Sequence, residues 1–186
     1  QLLAQNRETI AALAHQPTPT WQSLPVQLEE LDDSLSKAWS IVSHLNAVTN
    51  SPAWREAYNG CLAKISAYYT ELGQNSDLYN SYQTLADSNE FAELNQAQRQ
   101  AINNALRDFK LSGVALPTEQ KQRFAAIEER LSAICAKFAD NLLDATQAWH
   151  KELSTEELAG IPEANQGLLA QLAQQRGLTG HIVTLD

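Results

Sequence analysis

The stretch AINNALRDFKLSGVALPTEQKQRFAAIEERLSAICAKFADNLLDATQAW, residues 101–149, decides the fold class. In its second part Phe124, Ile127, Leu131, Ile134, Phe138, Leu142, Ala145 and Trp149 recur at alternating steps of three and four, with one extra step of four near Leu142. That spacing lays a single apolar stripe along one side of a helix. Ile102, Ala105, Leu106 and Phe109 give the preceding segment the same character. Between the two lies Leu111-Ser112-Gly113-Val114-Ala115-Leu116-Pro117. Gly113 can take the left-handed conformation that ends a helix, and Pro117 suits the first turn of the next. Two amphipathic helices therefore meet at a short joint. The stretch contains no catalytic apparatus.

The pattern extends toward the N-terminus. Leu24, Leu28, Leu31, Leu35, Ala38, Val42 and Leu45 form a heptad-like seam, with Thr20 placed to cap the helix and Pro25 near its first turn. At 1.5 Å per residue this helix is roughly 40 Å long. Thr49-Asn50-Ser51-Pro52 reads as a stop followed by a start, with Ser51 as cap and Pro52 in the first position. Trp54, Tyr58, Cys61, Ile65, Tyr68 and Leu72 continue as a second stripe, and Gly73 is expected to close it as a left-handed cap. So short a joint implies an antiparallel hairpin. Ahead of it, Leu2, Leu3, Ile10 and Leu13 mark a helix already under way at the first residue, stopping before Pro17-Thr18-Pro19. A shorter helix starts at Asn75-Ser76 and presents Leu78, Tyr79, Tyr82 and Leu85. Asp87-Ser88-Asn89 breaks that pattern, and Asn95 caps the helix that leads into the central joint.

After Trp149 the periodicity weakens. Ser154-Thr155-Glu156-Glu157 reads as a capped turn, Gly160-Ile161-Pro162 as a break, and Leu168, Leu169 and Leu172 as one more helix before Gly177. The tail from Gly180 to Asp186 is β-branched and alternating, like the beginning of a strand. A lone strand is unstable without partners, so the tail predicts a natural protein that continues beyond Asp186. The expected fold is all-α, a bundle of long antiparallel helical hairpins with the start of a β-strand at the C-terminal end. Residues 1–158 would form the bundle, and 159–186 a helix and strand leading into a further region.

Composition supports helix: Gly (7) and Pro (6) are sparse in 186 residues. The net charge of -9 comes with Lys and Arg scattered singly, which argues against a nucleic-acid footprint. No apolar run is long enough to span a bilayer. Cys61 and Cys135 each fall on an apolar stripe and are expected to be buried free thiols of a reducing compartment.

The residues able to do chemistry do not assemble into a motif. None of His15, His44, His150 and His181 has a second histidine one turn away, so a His-Glu-x-x-His zinc helix is absent. There is no Glu three residues before a histidine, no Cys-x-x-Cys, no G-x-S-x-G elbow and no glycine-rich phosphate loop. His44 reads as a helix-terminal or half-buried hydrogen-bonding residue. Glu128-Glu129 and Glu156-Glu157 are neighbours whose side chains diverge on a helix and suit solvated faces. Tyr68-Tyr69, Tyr79, Tyr82 and Trp149 are expected in a core or at its rim. No catalytic, cofactor-binding or metal-binding residue is assigned.

Several segments resemble the N-terminal region of the thimet oligopeptidase family of zinc metallopeptidases. They are Ser43-His44-Leu45-Asn46-Ala47-Val48, Asn50-Ser51-Pro52, Arg55-Glu56-Ala57-Tyr58 and, more specifically, Asn104-Ala105-Leu106-Arg107-Asp108-Phe109 with Leu111-Ser112-Gly113 and Leu116-Pro117. Arg123-Phe124, Leu131-Ser132, Phe138 through Thr146, and Leu158-Ala159-Gly160-Ile161-Pro162 continue the likeness in register over essentially the whole chain. The resemblance implies the N-terminal, non-catalytic lobe of an enzyme whose lobes flank a deep channel. Zinc would be bound far downstream by a His-Glu-x-x-His helix and a later glutamate, with a further segment ahead of Gln1. This lobe would wall the channel and restrict substrates by size. The implied partners are the C-terminal catalytic region of the same chain and short peptides, with neither nucleic acid nor membrane; the implied location is cytoplasmic, and Zn2+ the cofactor of the full-length enzyme. The alternative is a non-enzymatic helical adaptor that docks a partner helix.

Overall fold

Side-chain caps set the helix boundaries in the computed structural model, which describes residues 1–48 and 51–185. Thr49 and Asn50, half of the expected stop–start joint, lie outside the described residues, as does Asp186, the last residue of the expected strand. The described chain forms α1 (Leu2–Ala14), α2 (Pro25–Val48), α3 (Pro52–Gly73), α4 (Ser76–Ala86), α5 (Asn89–Glu93), α6 (Gln96–Leu111), α7 (Thr118–Ala148), β1 (His150–Leu153), α8 (Glu163–Gln175) and β2 (His181–Thr184). An all-α fold with a C-terminal strand is thus observed. Compactness divides it into two units, Gln1–Ala133 and Ile134–Asp186, with the boundary inside α7.

In the first unit Ser51 accepts from the Trp54 amide, Asn75 from Leu78, Ser88 from Phe91 and Asn95 from Gln98. Asn95 and Gln98 cap each other reciprocally, which satisfies two otherwise orphaned donors. α2 starts at Pro25, later than Thr20. Thr20 and Ser23 bond each other's amides and fold residues 21–24 into a turn of their own. α2 and α3 form the expected antiparallel hairpin, with Trp39 stacked on Tyr58 and, further from the joint, Tyr69 donating to Asp32.

The core gathers Ile10 and Leu13 of α1, Leu24, Leu35 of α2, Tyr68 of α3, Leu78, Tyr82 and Leu85 of α4, and Ile102, Leu106 and Phe109 of α6. Among these, Leu24, Leu78, Leu85 and Ile102 are fully buried. Phe109 receives the rings of Tyr79 and Tyr82 at 6.1 and 5.6 Å between centroids.

The central joint is built as expected. Gly113 has φ +85°, its amide donates to the Lys110 carbonyl, and the Val114 amide donates to Phe109. This left-handed closure is the Schellman arrangement, and it tucks Val114 into the core beside Phe109.

Gly73 corrects the sequence reading. It is the last residue of α3 and does not take a left-handed conformation. Its role is proximity: a Cβ there would lie 2.6 Å from the Cβ of Ser112. The missing side chain lets the end of α3 and the α6–α7 joint approach each other.

In the second unit β1 and β2 pair antiparallel, His150 opposite Thr184 and Leu153 opposite His181. Ile182 of β2, Ala173 of α8 and Leu158 are buried, and β2 packs against α8. The capped turn is present, with the Ser154 amide bonded to the Glu157 carboxylate and the Glu157 amide to the Ser154 hydroxyl. β1 went undetected because HKEL has no alternating apolar pattern. The tail strand therefore has its partner within this chain, which removes the lone strand as a reason to extend the protein beyond Asp186.

The largest departure concerns α7. None of its residues is buried, and Ile127, Leu131, Ile134, Phe138 and Leu142 are all exposed. Cys61 and Cys135 are likewise exposed free thiols, against the expectation of burial. Periodicity placed them on stripes, and those stripes are only partly covered.

Candidate functional site

Two faces of α7 differ in chemistry. Lys121, in its first turns, donates through Nζ to the Gln74 carbonyl at 3.0 Å and the Ser76 hydroxyl at 3.2 Å, tying the start of α7 to the end of α3. Beyond this anchor a groove of about 570 Å³ opens between the helices, lined by Ser66, Thr70 and Gln74 on one side and Gln122, Ala126 and Glu129 on the other. The face of α7 turned to α3 is thus small and polar. Its large apolar side chains project elsewhere.

A smaller cleft of about 130 Å³ is lined by Arg7, Ile10, Tyr68, Glu71 and Leu72. Arg7 Nε bonds Glu71 Oε2 at 2.8 Å, and its guanidinium lies 5.6 Å from the Tyr68 ring centre. Asn6, almost wholly buried, donates to the Tyr68 hydroxyl at 3.4 Å and to the Leu31 carbonyl at 3.5 Å. Burial raises the Tyr68 phenol above its ordinary value, although the Asn6 bond opposes the shift. Tyr69 is raised by desolvation and then by its bond to Asp32, and Tyr82 chiefly by burial. Raised phenols keep their protons at neutral pH, so these tyrosines pack and donate without serving as bases. Tyr68 and Tyr82 lie in the core, Tyr79 is half-buried and Tyr69 is exposed, which is the core-and-rim role expected of them.

The histidines remain scattered. His15 caps α1 with Nδ1 at 2.7 Å from the Ala11 carbonyl and Nε2 at 3.7 Å from Asp77. His44 is exposed in the last turns of α2, His150 opens β1 and His181 opens β2. Glu128 is half-buried and Glu129 exposed. Glu157 is exposed, and its hydrogen bond from Lys151 lowers its carboxyl below the ordinary value. Among the described residues no three His, Cys, Asp or Glu side chains come together as a metal site. Among the described residues no helix is long and apolar enough to cross a membrane.

An apolar hollow of about 180 Å³ between α2 and α3, lined by Leu35, Trp39, Val42, Cys61 and Ile65, also escaped sequence reasoning. Apart from Trp39, these residues belong to the two stripes already identified. Only the incomplete closure of the hairpin over them is new.

Comparison with known proteins gives this scaffold its relatives. Residues 1–121 match the family described as neurolysin/thimet oligopeptidase, N-terminal domain. The chain is 46% identical over 187 residues to oligopeptidase A of Haemophilus influenzae, covering 100% of this chain and 28% of that protein. It is 44% identical over 182 residues to oligopeptidase A of Escherichia coli, covering 97% and 27%. A probable cytosolic oligopeptidase A of Arabidopsis thaliana is 30% identical over 177 residues, covering 95% and 25%. The chain spans about a quarter of the length of these relatives.

Proposed function

The chain belongs to the neurolysin/thimet oligopeptidase family, and from that premise we propose that it is the N-terminal helical lobe of a zinc metallo-oligopeptidase that hydrolyses short peptides. The observation that carries this reading is the match of residues 1–121 to the family's N-terminal domain. In this reading residues 1–158 are the lobe and 159–186 lead into the catalytic region, which is its partner within the same polypeptide. The α2–α3 hairpin and α7 wall a channel and restrict it to short, unfolded peptides. The enzyme is cytoplasmic.

The described residues offer no converging set of three ligands, and structural or catalytic zinc takes three or four of them. In this reading zinc-bound water chemistry would be supplied by the remainder of the polypeptide, and the role of this lobe is steric.

The purified chain of residues 1–186 is expected to leave a short fluorogenic peptide intact, whereas the full-length protein cleaves it and loses that activity to a chelator. Chelator-sensitive cleavage by the short chain, or an inert full-length protein, overturns the reading. The exposed apolar side of α7 favours a second reading, a non-enzymatic adaptor that docks a partner helix. Sequence downstream of Asp186 discriminates between them: a His-Glu-x-x-His helix supports the peptidase, and a stop codon the adaptor.

A further inference from the structure

The strongest unexplained feature is the orientation of α7. Ile127, Leu131, Ile134, Phe138 and Leu142 are more than half exposed on one helix, at steps of four, three, four and four. That spacing keeps them within a narrow arc, the geometry of a seam that receives a second helix. The sheltered positions are elsewhere: Lys121, Ala125, Glu128, Ser132 and Ala136 are half-buried. α7 is therefore turned largely inside out with respect to this chain: its sheltered residues are mostly small or polar, with Phe124 and Leu143 half-buried among them, while Ile127, Leu131, Ile134, Phe138 and Leu142 are presented. Solvent contact of so much contiguous apolar surface is unfavourable, and in soluble proteins it marks an interface.

One edge of the stripe carries Arg123, Arg130 and Lys137, exposed and spaced by seven. Such a row occupies the flanking position of a helix–helix seam, where charges select the partner. It is basic in a chain of net charge -9. A second copy brings the same excess of negative charge, which opposes self-association. The relatives supply a different occupant: nearly three quarters of each lies outside the match, and the matched family domain is N-terminal.

We propose that the α7 stripe is an intramolecular seam, covered in the full-length protein by an amphipathic helix from the polypeptide C-terminal to this chain. That helix sets its apolar side chains against Ile127–Leu142 and acidic residues against Arg123, Arg130 and Lys137. The inference rests on the reading of this chain as one lobe of a longer protein.

The test uses the full-length protein with Cys61→Ser and Cys135→Ser as background, cysteines introduced by Leu131→Cys, Phe138→Cys or Ala133→Cys, the last lying on the opposite side of α7, and labelling read at each position by peptide mapping. Under native conditions a maleimide is expected to label the two stripe positions roughly tenfold or more slower than position 133, at every protein concentration, because access requires local opening. Equal rates at all three positions overturn the proposal. Protection that appears only as protein concentration rises also overturns it, in favour of a second copy. Peptide hydrolysis is measured on the same variants. A protein that hides the stripe but cleaves nothing removes the peptidase reading and keeps this one, and an active peptidase whose stripe labels freely does the reverse.

Discussion

α6 and α7 flank one joint and carry the same kind of apolar pattern, yet their fates are opposite. α6 buries Ile102 completely, with Leu106 at 9% and Phe109 at 7% exposure, while Phe138 on α7 is 67% exposed. Period decides which side chains share a face; it does not decide what covers that face. α6 has α4 across from it, with Tyr79 and Tyr82 meeting Phe109. Lys121 ties the first turns of α7 to the Gln74 carbonyl and the Ser76 hydroxyl, while the stripe from Ile127 to Leu142 stays exposed.

The contrast can be attacked by substitution, read by urea or thermal unfolding of the chain of residues 1–186. Ile102→Ala is expected to cost about 2–5 kcal/mol, the range for a fully buried aliphatic reduced to alanine. A loss below about 1 kcal/mol would mean that α6 is no better seated than α7. Gly113→Ala strikes the joint itself, where φ is +85° and a Cβ would fall 2.6 Å from Leu116 Cδ1. About 1–3 kcal/mol should be lost there through left-handed strain and crowding. Asn95→Ala removes half of the reciprocal cap of α6 and is expected to lower stability by about 1 kcal/mol. Leu131→Ala on the open face of α7 should shift stability by no more than about 0.5 kcal/mol. A penalty comparable to that of Ile102→Ala would show that this chain covers α7 after all and collapse the comparison.

What the sequence made legible was local. Ser51, Asn75, Asn95 and Gly113 act through hydrogen bonds within a few residues, so residue type and spacing nearly determine them. The antiparallel α2–α3 hairpin followed from two stripes and a short joint. Harder features depended on distant partners. Gly73 looked like a helix stop because its approach to Ser112 joins residues far apart in sequence. β1 was missed because His150-Lys151-Glu152-Leu153 owes its strand conformation to β2. Cys61 and Cys135 were placed on the correct helices and given the wrong environment, since burial requires a covering element that periodicity does not report. The candidate site shows the same division. The stripe of α7 was read residue by residue, while the small, polar character of its opposite face toward α3 emerged only in three dimensions.

Gly73 and Ser112 also have a genetic consequence. With 2.6 Å between the Ser112 Cβ and the Cβ that alanine would add at 73, neither position can be chosen without reference to the other. Gly73→Ala should be deleterious alone and partly relieved by Ser112→Gly, a suppressor pair whose effects do not add. Across homologous sequences the two positions should drift together, and a library randomised at both should return matched pairs in place of independent preferences.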